Sequence, residues 1–309
     1  MSHRGEQAMV PKADFESYYG RPILKEPTWK TPDVPLYLFL GGMAGSAAVL
    51  AEGAALTGRP GLERVARLVA ASGAGAGTVF LVHDLGRPER FLNMLRVFKP
   101  TSPLSVGSFI LAPFSAFASA AAGSSVTGWL PRLGRLAGAG AALFGPPLAT
   151  YTAALLANTA VPLWHEAHRE LPFIFGGSGA AAGGGVAMLL APAAESGPAA
   201  TMAIAGGSVE LAGSALMERR LGMLAEPYRQ GLPGRLTKAS RALTAGGLAL
   251  TALGARWSPL RRLGGAALAA GSVTLRFAVF EAGRASARDP KYTVVPQKER
   301  VARRATMTS

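Results

Sequence analysis

Long apolar runs separated by short clusters of charge divide this chain, and that rhythm predicts helices that cross a bilayer. A crossing helix needs roughly 20 mostly apolar residues. Eight runs are read as spans, at about 36–57, 64–83, 105–126, 136–160, 171–192, 199–217, 241–256 and 262–283. A water-soluble bundle would need charged outer faces along these runs, and they carry none. The expected organisation is an all-α integral membrane protein with a polar N-terminal tail (1–34), one membrane domain (35–284) and a basic C-terminal tail (285–309). The tail at 1–34 lacks the apolar stretch and small-residue cleavage site of a signal peptide, so the first span is expected to serve as its own targeting signal.

Composition strengthens this picture. Charged residues make up 16% of the 309 positions, against about a quarter in soluble domains. A net charge of +14 would suit a nucleic-acid partner, but its placement does not. Taking the face that bears both tails as side A, its segments hold 23 of the 32 Lys and Arg; side B holds 8, and Arg276 lies inside a span. That asymmetry follows the positive-inside rule, so both termini are expected in the cytoplasm and nucleic acid is not an expected partner. The chain has no Cys, which excludes a disulfide, an iron–sulfur cluster or a thiolate metal site of its own.

A weak repeat links the first and fifth spans. Pro35-x-x-x-Phe39-x-Gly41-Gly42-x-x-Gly45 is echoed by Pro172-x-x-Phe175-Gly176-Gly177-x-Gly179. Such an echo predicts two parallel groups of four helices, bundle one at 35–160 and bundle two at 171–284; the alternative is chance in a Gly-rich chain. The pairs Gly41/Gly45, Gly73/Gly77 and Gly179/Gly183 are expected at close helix–helix contacts.

The richest chemistry lies where the second span ends, in Val82-His83-Asp84-Leu85-Gly86-Arg87-Pro88-Glu89-Arg90-Phe91. Charge at headgroup depth is costly unless something uses it. Two readings stand: a structural ion-pair knot of His83, Asp84, Arg87 and Arg90, or a reactive site. Tyr37 opens the first span on the same side. Tyr151 lies roughly 13 Å below the side A end of the fourth span at helical rise. With His83 and Asp84 they would give one pocket a phenol, an imidazole and a carboxylate, the hydrogen-bond donors and proton path that a quinone needs. The plainer reading of a lone Tyr is packing or the interfacial belt.

Three further charges fall within spans. Glu210 and Arg276 have similar expected depth, so a buried pair between the sixth and eighth spans is expected, structural or part of a proton route. Glu52, near side B, is expected to pair with Arg64 or Arg67. None of the four His lies deep in a span, which argues against haem. His165-Glu166-Ala167-His168 sits in a loop, and no metal site is expected there.

The segment from His83 through Phe91, continued by Lys99-Pro100-Thr101-Ser102-Pro103-Leu104-Ser105-Val106-Gly107-Ser108, resembles the signature loop of the NrfD/polysulfide reductase membrane subunit family. The helix start from Pro35 to Gly45, and Tyr151-Thr152 followed by Pro162-x-Trp164, fit the same pattern. The resemblance implies eight helices in two four-helix bundles, without haem, forming the quinone-reactive anchor of an oxidoreductase complex in the bacterial cytoplasmic membrane, formate dehydrogenase-like or polysulfide reductase-like. It implies two partners, a four-cluster ferredoxin-like iron–sulfur subunit and a molybdenum or tungsten catalytic subunit. It also implies an exchangeable menaquinone among the first four helices, Tyr151 touching that quinone, and His83 and Asp84 beside the proton exit. Some members carry a His near the position of Tyr37, and this chain departs from them there. Arg87, Arg90, Arg96, Lys99, Arg219 and Arg220 are expected to dock the iron–sulfur subunit by charge complementarity, with Asp289-Pro290-Lys291-Tyr292 lying against it. Rival readings are a secondary transporter or proton translocator using Glu210 and Arg276, and a passive anchor without quinone chemistry.

Overall fold

The computed structural model describes residues 23–87 and 89–307, apart from the side chains of Arg90, Leu92 and 300–307. Residues 1–22 of the expected N-terminal tail and Pro88 of the signature loop lie outside the described residues. Every regular element among those described is helical. In chain order they are α1 (Asp33–Leu56), α2 (Pro60–Asp84), α3 (Arg90–Asn93), α4 (Pro103–Thr127), α5 (Pro131–Ala157), α6 (Pro162–Glu166), α7 (Leu171–Leu190), α8 (Gly197–Leu221), α9 (Gly231–Leu253), α10 (Ser258–Arg288) and α11 (Lys291–Met307).

Seven of these, α1, α2, α4, α5, α7, α8 and α10, are long and apolar enough to cross a membrane. The expected seventh span, 241–256, falls in α9, which is not among them. Its sequence explains why. α9 buries Thr237, Ser240, Thr244 and Thr251 against its neighbours, so its inward face is polar and its hydropathy low. Apart from α7, which stops two residues short of its expected end, the other membrane-crossing helices begin before their expected limits, because hydropathy marks only the part in hydrocarbon. A proline stands in the first turn of α2, α4, α5, α7, α8 and α10, where its missing N–H costs no hydrogen bond.

Backbone contact sets the packing. α1 is central and lies against α2, α5 and α7; α7 in turn contacts α8 and α10, and α10 pairs with α9. Gly45 and Gly145 meet where α1 crosses α5, and Gly185 meets Gly265 where α7 crosses α10. Gly42 and Gly179, one from each half of the sequence echo, bring α1 and α7 together: a Cβ on Gly179 would lie 2.7 Å from the Gly42 carbonyl oxygen. Of the six spaced glycines, Gly41 alone has open space beside it. Gly45→Val should overpack against the Gly145 backbone, which cannot rotate away as a side chain would. Membrane-inserted protein is expected to fall about tenfold, as destabilised chains are degraded, measured by immunoblot of membrane fractions beside the tolerant control Gly41→Ala.

The loops of the two ends are tied by polar contacts. At the side A end, Glu26 bonds Arg288 at 2.6 Å and Tyr292 donates to Glu226 at 3.2 Å. At the other end the Leu62 amide donates to Glu195 at 2.8 Å, and Arg261 donates to Ser196 at 2.8 Å.

Candidate functional site

Residues 26–31 form a strap across the side A end. The Lys30 amide donates to Asp84 Oδ1 at 2.8 Å, and Thr31 donates to Glu281 at 3.0 Å. Arg288, hydrogen-bonded to Glu26, holds that carboxyl below the usual carboxylate range, with Arg284 adding to the effect. Trp29 on the strap stacks on Trp164, ring centroids 5.7 Å apart. The Trp164 indole is fully buried and donates to the Val279 carbonyl at 2.8 Å.

Beneath this strap lies a cavity of about 320 Å³ between α1, α2, α4 and α5. Its walls include Trp29, Tyr37, Asp84, Ser102, Leu155 and Asn158. The Tyr37 hydroxyl is buried with no hydrogen-bond partner. A buried donor without an acceptor is costly, and here it belongs to a side chain on the wall of an apolar cavity that also carries a carboxylate. That combination suits a small ligand with a carbonyl oxygen.

His83 points elsewhere. It ends α2 with its side chain 72% exposed, and its Nδ1–H donates to Asp33 Oδ2 at 2.7 Å. Asp33 opens α1 and is buried, one helical turn before Tyr37 on the same face. An exposed imidazole, a buried carboxylate and a buried phenol therefore follow one another from the surface inward. Asp33, Trp29, Ser102 and Asn158 were missed in the sequence. Asp33 had one available signal, its position i−4 from Tyr37; its partner stands 50 residues away, which no local pattern reveals.

Of the four residues of the ion-pair reading, His83 and Asp84 make these separate contacts. Asp84 is bonded to the Lys30 amide and Arg87 is exposed, while the Arg90 side chain lies outside the description. Tyr151 is not on the cavity wall. Its ring stands on Gly107 of α4, where any Cβ would strike it. Since Leu155 lines the cavity, Tyr151 sits one turn deeper, under its floor.

The intramembrane charges also depart from expectation. Glu210 and Arg276 are both buried but do not pair directly. Glu210 Oε1 accepts from Thr244 at 2.7 Å. Arg276 donates to the Phe175 carbonyl at 2.9 Å and lies over the Phe175 ring, 3.7 Å from its centroid. The ring and carbonyl of α7 hold the guanidinium, so its planar charge is satisfied partly by a cation–π contact. Arg67 pairs with Glu63 at 2.7 Å rather than with Glu52, because i,i+4 residues on one helix meet without any neighbour moving.

On the basic rim, Arg87, Arg96, Lys99 and Arg219 are exposed. Arg220 is committed to its own chain. It grips Glu170 at 2.5 and 2.6 Å and bonds the Glu166 carbonyl, and that hydrogen bonding lowers the Glu170 carboxyl. The start of the C-terminal tail is likewise folded inward: Lys291 pairs with Glu226 at 2.8 Å and Tyr292 is buried. The Glu226 contact raises the Lys291 ammonium.

Long apolar helices packed through glycine, with a protic cavity at one end, define a multi-pass membrane protein. The family model for polysulphide reductase, NrfD, matches residues 25–204, and the chain belongs to that family. Membership places it with membrane subunits of quinone-linked oxidoreductases, which associate with iron–sulfur and molybdopterin subunits. The match contains the whole cavity and ends within α8, so Glu210 and Arg276 lie beyond it. No curated protein matches the chain.

Proposed function

We propose that this subunit binds menaquinone in the cavity beneath the strap and exchanges electrons with the clusters of a docked iron–sulfur partner, itself joined to a molybdenum or tungsten catalytic subunit. The observation that carries this reading is the unpartnered hydroxyl of Tyr37, a residue that lines a cavity of about 320 Å³, a volume within the usual range for small-molecule sites. A bound quinone supplies two-electron, two-proton redox chemistry. The chain supplies the rest. Tyr37 offers a hydrogen bond to a carbonyl oxygen, Asp84 places a carboxylate on the same wall, and Trp29 and Leu155 exclude water. The exposed His83 exchanges protons with the aqueous phase, and Asp33 holds its ring and accepts its Nδ1–H. Tyr151 supports the floor through its contact with Gly107.

In this reading α9 is the eighth crossing helix, completing two groups of four, α1, α2, α4, α5 and α7, α8, α9, α10. Side A faces the cytoplasm, consistent with its basic charge. Arg87, Arg96, Lys99 and Arg219 remain available to the partner, whereas Arg220 braces the loop before α7. Purification from native membranes in mild detergent tests the scheme. A cluster-bearing protein should co-purify, identified by mass spectrometry and iron content, and a menaquinone analogue should quench tryptophan fluorescence through Trp29. A chain that isolates alone and transports a solute in liposomes would instead establish the transporter reading.

A further inference from the structure

A second cavity, about 310 Å³, opens at the opposite end of the molecule, among the start of α2, the end of α4 and the start of α5. Its walls carry Arg64, Arg67 and Arg135, with Glu63, Ser124 and Ser125. Arg67 is the unusual member. Only 6% of it is exposed, and its Nε and Nη2 make no hydrogen bond. Nη2 lies 2.7 Å from Glu63 Oε1 as an ion pair, and the Glu52 carboxylate approaches the same point over Gly138. Arg64 and Arg135 are exposed and have no ion pair or hydrogen bond among the described residues. Ser124 and Ser125 already donate to the carbonyls of Trp129 and Ala122, so the donors left for a ligand are guanidinium groups.

Three guanidinium groups face one cavity, and the buried one keeps an Nε–H with no partner; such a cluster recognises a phosphate. The surroundings identify how that phosphate is presented. The cavity lies at a helix end of a membrane protein, and Leu68, Leu133, Leu136 and Trp129 beside it are exposed. Apolar side chains left uncovered there suit acyl chains, and Trp is at home at the headgroup boundary. We propose that this niche binds the phosphodiester headgroup of an acidic phospholipid, with its acyl chains lying along the exposed leucines of α2 and α5.

The test uses the full-length protein, delipidated in neutral detergent and titrated with dihexanoyl phosphatidylglycerol while thermal stability is followed. Saturable stabilisation is expected. Arg64→Gln and Arg135→Gln should each weaken binding about fivefold, the scale expected for one basic residue at an anionic lipid surface. These rim variants leave buried Arg67 and its partner Glu63 in place, so folding is preserved. Arg262→Gln, an exposed arginine at the same end but outside the niche, should bind as the wild type does. Dihexanoyl phosphatidylcholine and inorganic phosphate should each bind at least about tenfold more weakly, the acyl surface and net charge both being required. Inorganic phosphate matching the lipid would overturn the lipid assignment in favour of a free-anion site. Unchanged binding in the Arg64→Gln/Arg135→Gln double variant, or equal loss in Arg262→Gln, would overturn the niche itself.

Discussion

Tyr37→Phe is expected to lower menaquinol-linked turnover of the assembled complex by about 10² or more, the scale of a lost proton-handling group, without reducing the amount of subunit in the membrane. The change removes one oxygen. That oxygen is buried and makes no hydrogen bond in the protein, so its loss costs the fold nothing and relieves a desolvated donor. The ring remains against its neighbours. Any fall in activity must therefore come from what the hydroxyl does for a ligand. The measurement is steady-state oxidation of a menaquinol analogue by the purified complex, with subunit abundance determined on the same sample. A drop confined to KM would show that the hydroxyl only positions the headgroup. Full activity in Tyr37→Phe would remove the main support for a quinone in this cavity. Asp33→Asn provides the companion test: by weakening the hold on the His83 ring it should lower turnover while leaving subunit abundance unchanged, whereas a merely structural role would lower both together.

Arg276→Met should have the second large effect, this time on stability. Arg276 is fully buried, stacked on Phe175, and shares the protein interior with Glu210. The two make no direct contact, yet they are the compensating charges of that interior. Removing the cation leaves Glu210 with only hydroxyl partners, Thr244 at 2.7 Å and Ser178. Loss of one member of a buried charge pair costs about 3–5 kcal/mol, enough to deplete the protein from the membrane. Glu210→Gln in the same chain should restore part of the loss, since the remaining partner is then neutral. Thermal unfolding of the two single variants and the double variant measures the coupling directly. Additive losses would mean that each group is stabilised only by its local contacts, Phe175 for the arginine, Thr244 and Ser178 for the glutamate.

The helices were legible in the sequence because a bilayer imposes a length that a run of 20 residues records. Their ends were not, since the polar turns of α2, α5 and α10 continue past the apolar window. α9 shows the limit most clearly. It was expected from its apolar half, 241–256, but its helix begins at Gly231 and buries hydroxyls rather than hydrocarbon. The echo between Pro35–Gly45 and Pro172–Gly179 was legible, and its glycines meet at Gly42 and Gly179. Within the site, Tyr37 and Asp84 could be named from their position at span ends. Asp33 could not, because its bond to His83 joins two helices that the sequence keeps apart. Arg220 looked free, but the Glu170 carboxylate, 50 residues away, and the Glu166 carbonyl hold it; Arg276 looked paired by charge, but a carbonyl and a ring hold it, which no charge pattern displays.

The meeting of Gly42 with Gly179 has a mechanical consequence. Two backbones in direct touch, with no side chains between them to slide or re-seat, behave as a weld at the middle of the molecule. A transporter that rocks one half against the other would have to tear that weld in every cycle, whereas a stationary platform for a diffusing carrier never stresses it.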